Sequence, residues 1–253
     1  MNIRDIMNYW EQKAPLDTAE DWDNPGLLVG SPDAPVTHIL TTLDVTPGAV
    51  EQAKRMGAEL IISHHPVIFS PLRRMDADSV PYRLASNGIA ALCLHTNLDK
   101  AAGGVNDRLA NQLGWTVTGT APDGLCRFAS LPVPLSPDAF AAHVAQRLHT
   151  AVRMAEGGKT AIATVALCGG SGADCLLPLT ERVDAVLTGE IKHHEWLAFA
   201  AAGVAALDGG HYFTEAGIAD VLSRETAAAF PTLAVMTFLD QPPYTTICPS
   251  AGL

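Results

Sequence analysis

The chain has 253 residues, of which 48% are hydrophobic and 17% charged, and its formal net charge is −11. This length and apolar content predict a sizeable buried core and exclude a largely disordered chain. An acidic chain without a stripe of Lys and Arg argues against direct nucleic-acid binding through a broad basic face. The low charged fraction also favours packing into an oligomer.

The cysteines and the apolar runs suggest a cytoplasmic protein without a membrane span. The longest apolar run, Trp196 to Leu207, contains Gly203 and is too short to cross a bilayer. The first residues lack the apolar segment of a secretion signal. Because the cysteines are odd in number and form no CxxC pair, we expect reduced thiols. They are Cys93, Cys126, Cys168, Cys175 and Cys248.

The first part of the chain alternates predicted strands and helices, which is typical of a mainly parallel sheet. Pro47 at the start and Gly57 after the end support a helix over residues 47–56. The predicted elements are helix 3–13, strand 27–29, strand 39–43, helix 47–56, strand 60–62, a helix near 80–87 and strand 89–94.

A Pro-rich segment over residues 121–137 interrupts this pattern, so we expect two lobes, 1–125 and 126–253. The second lobe again alternates strands and helices. Its predicted elements are helix 137–149, strand 161–167, strand 185–187, helix 193–202, strand 204–207, helix 212–229 and strand 233–239.

Three short patterns recur in the same order in both halves and predict an internal duplication. A His-His pair comes first, then a Gly-led apolar strand, then a His followed four residues later by a carboxylate. We therefore expect an α/β fold of two similar lobes with mainly parallel or mixed sheets. The matched segments are His64-His65 with His193-His194, Gly88–Leu92 with Gly203–Leu207, and His95…Asp99 with His211…Glu215.

The pair His64-His65 directly follows a short apolar strand, where open α/β sheets place their sites. Neighbouring side chains of a regular strand point to opposite faces, so two imidazoles serving one site must lie where the strand ends. Pro66 favours such an end. Two adjacent imidazoles suit two nearby metal ions better than one. The alternative is a pair of core or capping histidines.

Asp99, His211 and Glu215 extend this candidate site. In a helix, His211 and Glu215 lie one turn apart on the same face. Imidazoles with carboxylates are the mixed set that binds Zn, Fe, Mn, Co or Ni. The alternatives are helix-capping roles for Asp99 and for the His211–Glu215 pair.

Weaker candidates lie after the strands of the second half. Glu190, His193 and His194 are either proton shuttles or parts of a solvated helix start. The turn Gly169–Gly172 could hold a phosphate with its backbone N–H groups, although it lacks the ending of a P-loop. No nucleophile motif such as GxSxG is present in the sequence, so metal chemistry is favoured over covalent catalysis.

Several motifs together resemble the dinuclear-metal-centre family, whose members are also labelled Nif-three-like proteins or GTP cyclohydrolase I type 2 homologues. The resemblance covers nearly the whole chain, in the short form without an inserted domain. It implies a ring-shaped hexamer and two metal ions per chain, with Glu215 bridging both ions. The motifs are SHHP at 63–66, HTNLD at 95–99, GGVND at 103–107, TGEIKHH at 188–194 and GGHYFTE at 209–215, with WDNPGLLVG at 22–30 and TLDVTP at 42–47. The implied ligands are His64, His65, Asp99, His211 and Glu215.

These features predict a metal-dependent hydrolase that acts on a nucleotide-like, phosphoester or cyclic-amide small molecule. Two ions that share a carboxylate would activate water and polarise the substrate. Glu190 or His95 would relay a proton. The alternative is a non-catalytic metal-binding ring that recruits protein partners, in which protein atoms would fill every metal position.

Overall fold

A computed structural model describes residues 1–247 of the chain. The four cysteines within this range, Cys93, Cys126, Cys168 and Cys175, are free thiols, and Cys248 lies outside the described residues. Within residues 1–247, none of the helices combines the length and the apolar character needed to cross a membrane.

The described residues form eleven strands and ten α-helices, with two short 3-10 helices at Leu16–Thr18 and Leu177–Arg182. The strands are β1 (Gly26–Val29), β2 (His38–Thr42), β3 (Leu60–Ser63), β4 (Ala90–Cys93), β5 (Thr116–Thr120), β6 (Arg127–Leu135), β7 (Arg153–Ala155), β8 (Ile162–Leu167), β9 (Ala185–Thr188), β10 (Ala205–Asp208) and β11 (Ala234–Thr237). The helices are α1 (Ile3–Lys13), α2 (Pro47–Met56), α3 (Val80–Ser86), α4 (Thr96–Lys100), α5 (Val105–Leu113), α6 (Pro137–Leu148), α7 (Ala173–Leu176), α8 (His193–Ala201), α9 (His211–Glu215) and α10 (Ile218–Ala229).

Helix α2 has the bounds that its end signals predict. The Thr46 hydroxyl accepts a hydrogen bond from the Ala49 N–H at 3.0 Å, which caps the first turn. Pro47 occupies the first helical position, where no N–H donor is needed. Gly57 ends the helix in the left-handed region with φ of 69°, which glycine adopts without strain.

The strands form two mixed sheets, in the orders β1-β4-β3-β2-β11 and β5-β6-β8-β9-β10-β7. In the first sheet β2, β3, β4 and β11 are parallel, and β1 runs antiparallel on β4. In the second sheet β8, β9 and β10 are parallel, and β7 runs antiparallel on β10. The prediction of an α/β fold with two similar lobes is confirmed.

The internal duplication is visible in the topology of the two sheets. The series β1-β4-β3-β2 of the first sheet has the same order and directions as the series β7-β10-β9-β8 of the second. The connecting helices repeat as well, since α1 through α5 and α6 through α10 occupy the same places along the two series. The carboxyl ends of the parallel strands therefore deliver equivalent loops in each half.

In each half of the chain, the last strand and the last helix pack with the sheet of the other half. Strand β11 extends the first sheet beside β2, and β5 lies in the second sheet beside β6. Leu222 of α10 packs in the same core cluster as Ile39 of the first sheet, and Leu109 of α5 packs in the cluster of Val165 in the second. Sheet membership therefore changes near residue 115, before the boundary at 125 expected from the sequence, and changes back at β11.

The Pro-rich segment forms β6, which follows β5 without an intervening helix, so the alternation of strands and helices is interrupted there as expected. Its prolines are tolerated because the pairing with β8 is interrupted between Ser130 and Leu135. The helix predicted over 212–229 is two helices that separate at Ala216-Gly217. A Cβ at Gly217 would overlap the Arg108 guanidinium, so this position packs closely against α5.

Candidate metal centre

His64 and His65 lie directly beyond the carboxyl end of β3. Their N–H groups continue the pairing with β2 for two residues, donating to the carbonyls of Thr42 at 3.3 Å and Leu43 at 3.0 Å. The Ser63 hydroxyl donates to the His65 carbonyl at 2.8 Å and fixes the turn that follows. His64 is completely buried, whereas His65 is partly exposed. The two imidazoles of one strand end thereby enter the same cluster.

The other acidic and imidazole groups come from short helices at neighbouring strand ends. Asp99 lies inside α4, whose N-cap is His95, so the interpretation of Asp99 as a helix cap is wrong. His211 and Glu215 lie one turn apart on α9 and interact at 2.9 Å. Gly210 precedes α9 with φ of 81°, a conformation that lets β10 turn sharply into this helix.

The Glu215 carboxylate lies between two sets of ligand atoms. Its Oε1 is 3.7 Å from His64 Nε2, which is also 3.7 Å from Asp99 Oδ1. Its Oε2 is 3.0 Å from His65 Nε2 and 2.9 Å from His211 Nε2. These atoms form two of the groups that are close enough to hold a metal ion, one with His64 and Asp99 and the other with His65 and His211.

The Nδ1 atoms of His64 and His65 are hydrogen-bonded away from the centre. His64 Nδ1 donates to the Leu94 carbonyl at 2.9 Å, and His65 Nδ1 pairs with the Asp44 carboxylate at 2.7 Å. A carbonyl or carboxylate on one ring nitrogen fixes the tautomer that leaves the other nitrogen free for a metal. His211 follows the same rule, because its Nδ1 pairs with Glu190 at 3.1 Å.

The environment of the His64 Nε2 atom is the observation that most favours a bound metal ion. This atom is buried and has no hydrogen-bond partner among the described residues. A buried polar atom without a partner costs free energy, so it needs a ligand. Ligands of one ion at 2.0–2.2 Å lie roughly 3.3–3.6 Å apart in tetrahedral geometry. The distances of 2.9–3.7 Å around Glu215 are close to that spacing. The residues present fit a divalent metal ion.

Without metal, the cluster balances its charges with protons. Burial alone would lower the pKa of His65, but the carboxylates of Asp44 and Glu215 outweigh it and raise that pKa to about 10. Burial alone would also lower the pKa of His211, but the Glu215 carboxylate outweighs it and raises that pKa to about 9. Burial raises the pKa of Asp99 to about 6, and the three imidazoles hold the pKa of Glu215 well below its ordinary value. Metal binding must therefore displace protons from the imidazoles.

The turn Gly169–Gly172 packs behind the cluster. A Cβ at Gly170, where φ is 60°, would overlap Glu215 Oε1 and lie 3.2 Å from His211 Nε2. The N–H groups of Gly169, Gly170 and Gly172 donate to side-chain oxygens of Asn106, Thr214 and Thr188. These three N–H groups already have hydrogen-bond acceptors, so the expectation that they bind a phosphate is wrong. The turn supports Glu215 instead.

His95 lies beside the cluster. Its Nδ1 pairs with the buried Asp23 carboxylate at 2.7 Å, and one of its ring nitrogens lies within 4.8 Å of ligand atoms of His64 and His65. Burial alone would raise the pKa of Asp23, but the hydrogen bonds from His95 and Thr96 lower it to about 2. The carboxylate of Asp23 is therefore ionised and holds the His95 ring in place.

The remaining candidates divide by position. Glu190 is exposed and contacts the outer nitrogen of His211, so it lies at the periphery of the cluster. His193 and His194 are exposed at the start of α8, in agreement with a solvated helix start. Asp44 and Asp23 were missed in the sequence analysis. Asp44 follows β2 as His65 follows β3, and this shared position was the available signal.

A cavity of about 590 Å³ opens onto the cluster. His65, Asp99, His211 and Glu215 form part of its wall, and the exposed Trp22 lines it together with other residues of the first half. The buried ligand atoms are therefore accessible to a small molecule from one side.

The comparison with known families agrees with this site. The family model described as Duf34/NIF3 (NGG1p interacting factor 3) matches residues 1–242. The chain belongs to the Duf34/NIF3 family. The cluster of histidines and carboxylates lies entirely within the matched residues of this Duf34/NIF3 chain.

Several relatives are similar over most of the chain. A Lactococcus lactis protein named GTP cyclohydrolase 1 type 2 homolog is 34% identical over 230 residues, covering 86% of this chain and 89% of that protein. Drosophila melanogaster NIF3-like protein 1 is 33% identical, covering 84% of this chain and 77% of that protein. A crystal structure of Staphylococcus aureus protein SA1388 has a TM-score of 0.88 and 27% identity, with coverage of 98% and 99%. The Duf34/NIF3 fold thus extends over the described chain.

Replacing Gly170 by Ala should impair metal uptake, because the added methyl group would displace the Glu215 carboxylate. The matched control is Gly158→Ala, since Gly158 also has a positive φ, of 72°, but no atom within 4 Å of an added Cβ. Elemental analysis after incubation with Mn²⁺ or Zn²⁺ should find less metal in Gly170→Ala than in Gly158→Ala. Equal metal content in the two variants would show that the turn does not support Glu215.

Proposed function

We propose that this Duf34/NIF3 protein binds two divalent metal ions, with Glu215 as the shared ligand. The proposal rests on the position of the Glu215 carboxylate. One of its oxygens faces His64, and the other faces His65 and His211. A carboxylate with one oxygen toward each ligand set is the arrangement that allows one side chain to bind two ions.

Each ion would be held by three side chains. His64, Asp99 and Glu215 would hold the first, and His65, His211 and Glu215 the second. Neutral imidazoles with carboxylates suit Zn, Fe, Mn, Co or Ni. Three protein ligands per ion leave coordination positions for water or substrate, as catalytic sites do. This open coordination favours an enzyme over a scaffold that only recruits partners.

We propose metal-dependent hydrolysis as the activity. A pair of bound divalent ions supplies Lewis-acid activation of water and of a substrate oxygen or nitrogen. Asp44 and Glu190 orient the imidazoles of His65 and His211. In this proposal His95, whose Nδ1 is held by Asp23, moves a proton at its Nε2 between water in the cavity and the substrate. Glu190 lies on the outer side of His211, so an orienting role suits it better than a proton relay.

The substrate would be a small molecule that fits the cavity of about 590 Å³. The bacterial relatives carry the name GTP cyclohydrolase 1 type 2 homolog. Opening of a nucleotide-like ring, cleavage of a phosphoester and hydrolysis of a cyclic amide all use the same activation of water. These three classes define the substrates to be screened.

Asp99→Ala should lower metal-dependent turnover about a hundredfold, because this change removes a proposed ligand of one ion. Asp138→Ala is the matched control, since Asp138 is an exposed acidic residue that does not line the cavity. Purified, metal-loaded variants and a chelated sample should be screened against nucleotides, phosphodiesters and cyclic amides. Absence of turnover in wild type, together with a partner protein that is released on chelation, would contradict hydrolysis and favour a scaffold.

We also propose assembly into a ring-shaped hexamer, as the family resemblance implies. Apolar side chains on the edge strand β5 and its neighbour β6 support an interface there. Val117 lies on the edge strand β5, and Val133 of β6 is 61% exposed. Light scattering at micromolar concentration should give a mass near six times the chain mass of 26.6 kDa. A mass near that of one chain would contradict the proposal.

A further inference from the structure

Two exposed aromatic rings line the cavity that opens onto the cluster of histidines and carboxylates. The side chains of Trp22 and Phe69 both line this cavity, yet these residues are 59% and 52% exposed. Large aromatic side chains usually bury most of their surface, so two that remain open at a polar cleft are typical of ligand contact.

The backbone that carries these rings is held in place. The Asn24 side chain donates to the Ile68 carbonyl at 2.6 Å, which joins the segment of Trp22 to the segment of Phe69. The Asp23 carboxylate, adjacent to Trp22, is buried and accepts hydrogen bonds from the Thr96 N–H and hydroxyl. These hydrogen bonds hold the two backbone segments next to each other. Less backbone motion is then lost when a ligand binds, which lowers the entropy cost of binding.

The rings also lie within reach of the metal ligands. The ring centroids of Trp22 and Phe69 are 6.0 Å apart, with an angle of 44° between their planes. The Trp22 and His95 rings are T-shaped, with centroids 6.2 Å apart, and the His95 and His64 ring centroids are 5.2 Å apart. A ligand in contact with Trp22 would thus lie near His95, at the side of the cluster.

The side chains of the cavity wall offer no Lys or Arg to an anionic ligand. Among the described residues that line it, none is Lys or Arg. The lining includes the carboxylates of Asp44 and Asp174 in addition to those of the cluster. The Glu20 carboxylate also lines the cavity, but Lys100 pairs with it at 2.7 Å and neutralises it. Recognition of phosphate by the protein would need cationic side chains, most often Arg or Lys.

We propose that Trp22 and Phe69 form a platform that selects an uncharged or cationic planar heteroaromatic ring as the substrate of the metal centre. This inference rests on the proposed function and names the substrate class for the same site. Stacking on Trp22 and Phe69 supplies affinity, and the acidic wall disfavours phosphate groups that do not reach the ions. The ring is recognised by its π-face and by its lack of negative charge.

The test is a calorimetric binding titration of the full-length, metal-loaded protein, which requires no turnover. The ring probes are guanosine, adenosine, nicotinamide and pterin, and the probe without a ring is ribose 5-phosphate. Trp22→Ala and Phe69→Ala should each weaken the best ring probe about tenfold, because stacking contributes affinity of that order. The matched control is Tyr82→Ala, since Tyr82 is an exposed aromatic residue that does not line the cavity.

Three results would overturn the platform. They are the absence of binding by every ring probe below about 1 mM, equal binding of ribose 5-phosphate and the best ring probe, or unchanged ring binding in Trp22→Ala. Light scattering on the same variants must show an unchanged mass, and a change would assign these rings to an interface between chains instead. Ring binding that depends on Trp22 but is followed by no hydrolysis would uphold the platform and contradict the hydrolase.

Discussion

The buried Glu215 carboxylate is the interaction on which the rest of the site depends. It contacts His64 and His65 from the first half and His211 from the second, and it is almost completely removed from solvent. A buried carboxylate is stable only when opposite charges or hydrogen-bond donors surround it. Protons on the imidazoles supply this compensation without metal, and bound divalent ions would supply it as well. The cluster could therefore hold metal ions.

This constraint explains the exchange of elements between the halves. The side chains of the cluster belong to strand ends of two different sheets, and a metal site would tolerate only small errors in their relative position. Strand β11 in the first sheet and β5 in the second link the two cores on both sides. Leu222 in the core of the first sheet secures α10, directly after the helix that carries Glu215. The duplicated fold thus forms one frame around the shared carboxylate.

Much of this arrangement could be predicted from the sequence, because its signals are local. Helix α2 follows from Pro47 and Gly57, and the position of His64-His65 follows from the apolar strand before them. The exchange of β5 and β11 could not be predicted, since nothing in a strand's own residues states which sheet it joins. Asp23 and Asp44 were missed for a similar reason. Their importance comes from contacts with His95 and His65, which are distant in the sequence.

The most direct test of the shared carboxylate is anomalous X-ray diffraction from crystals of the protein grown with Mn²⁺ or Zn²⁺. We expect two metal peaks per chain, about 3.5–4 Å apart, as in other two-metal sites. One oxygen of Glu215 should coordinate each ion, with His64 and Asp99 on one side and His65 and His211 on the other. A single peak, or two peaks of which one does not contact Glu215, would contradict this expectation.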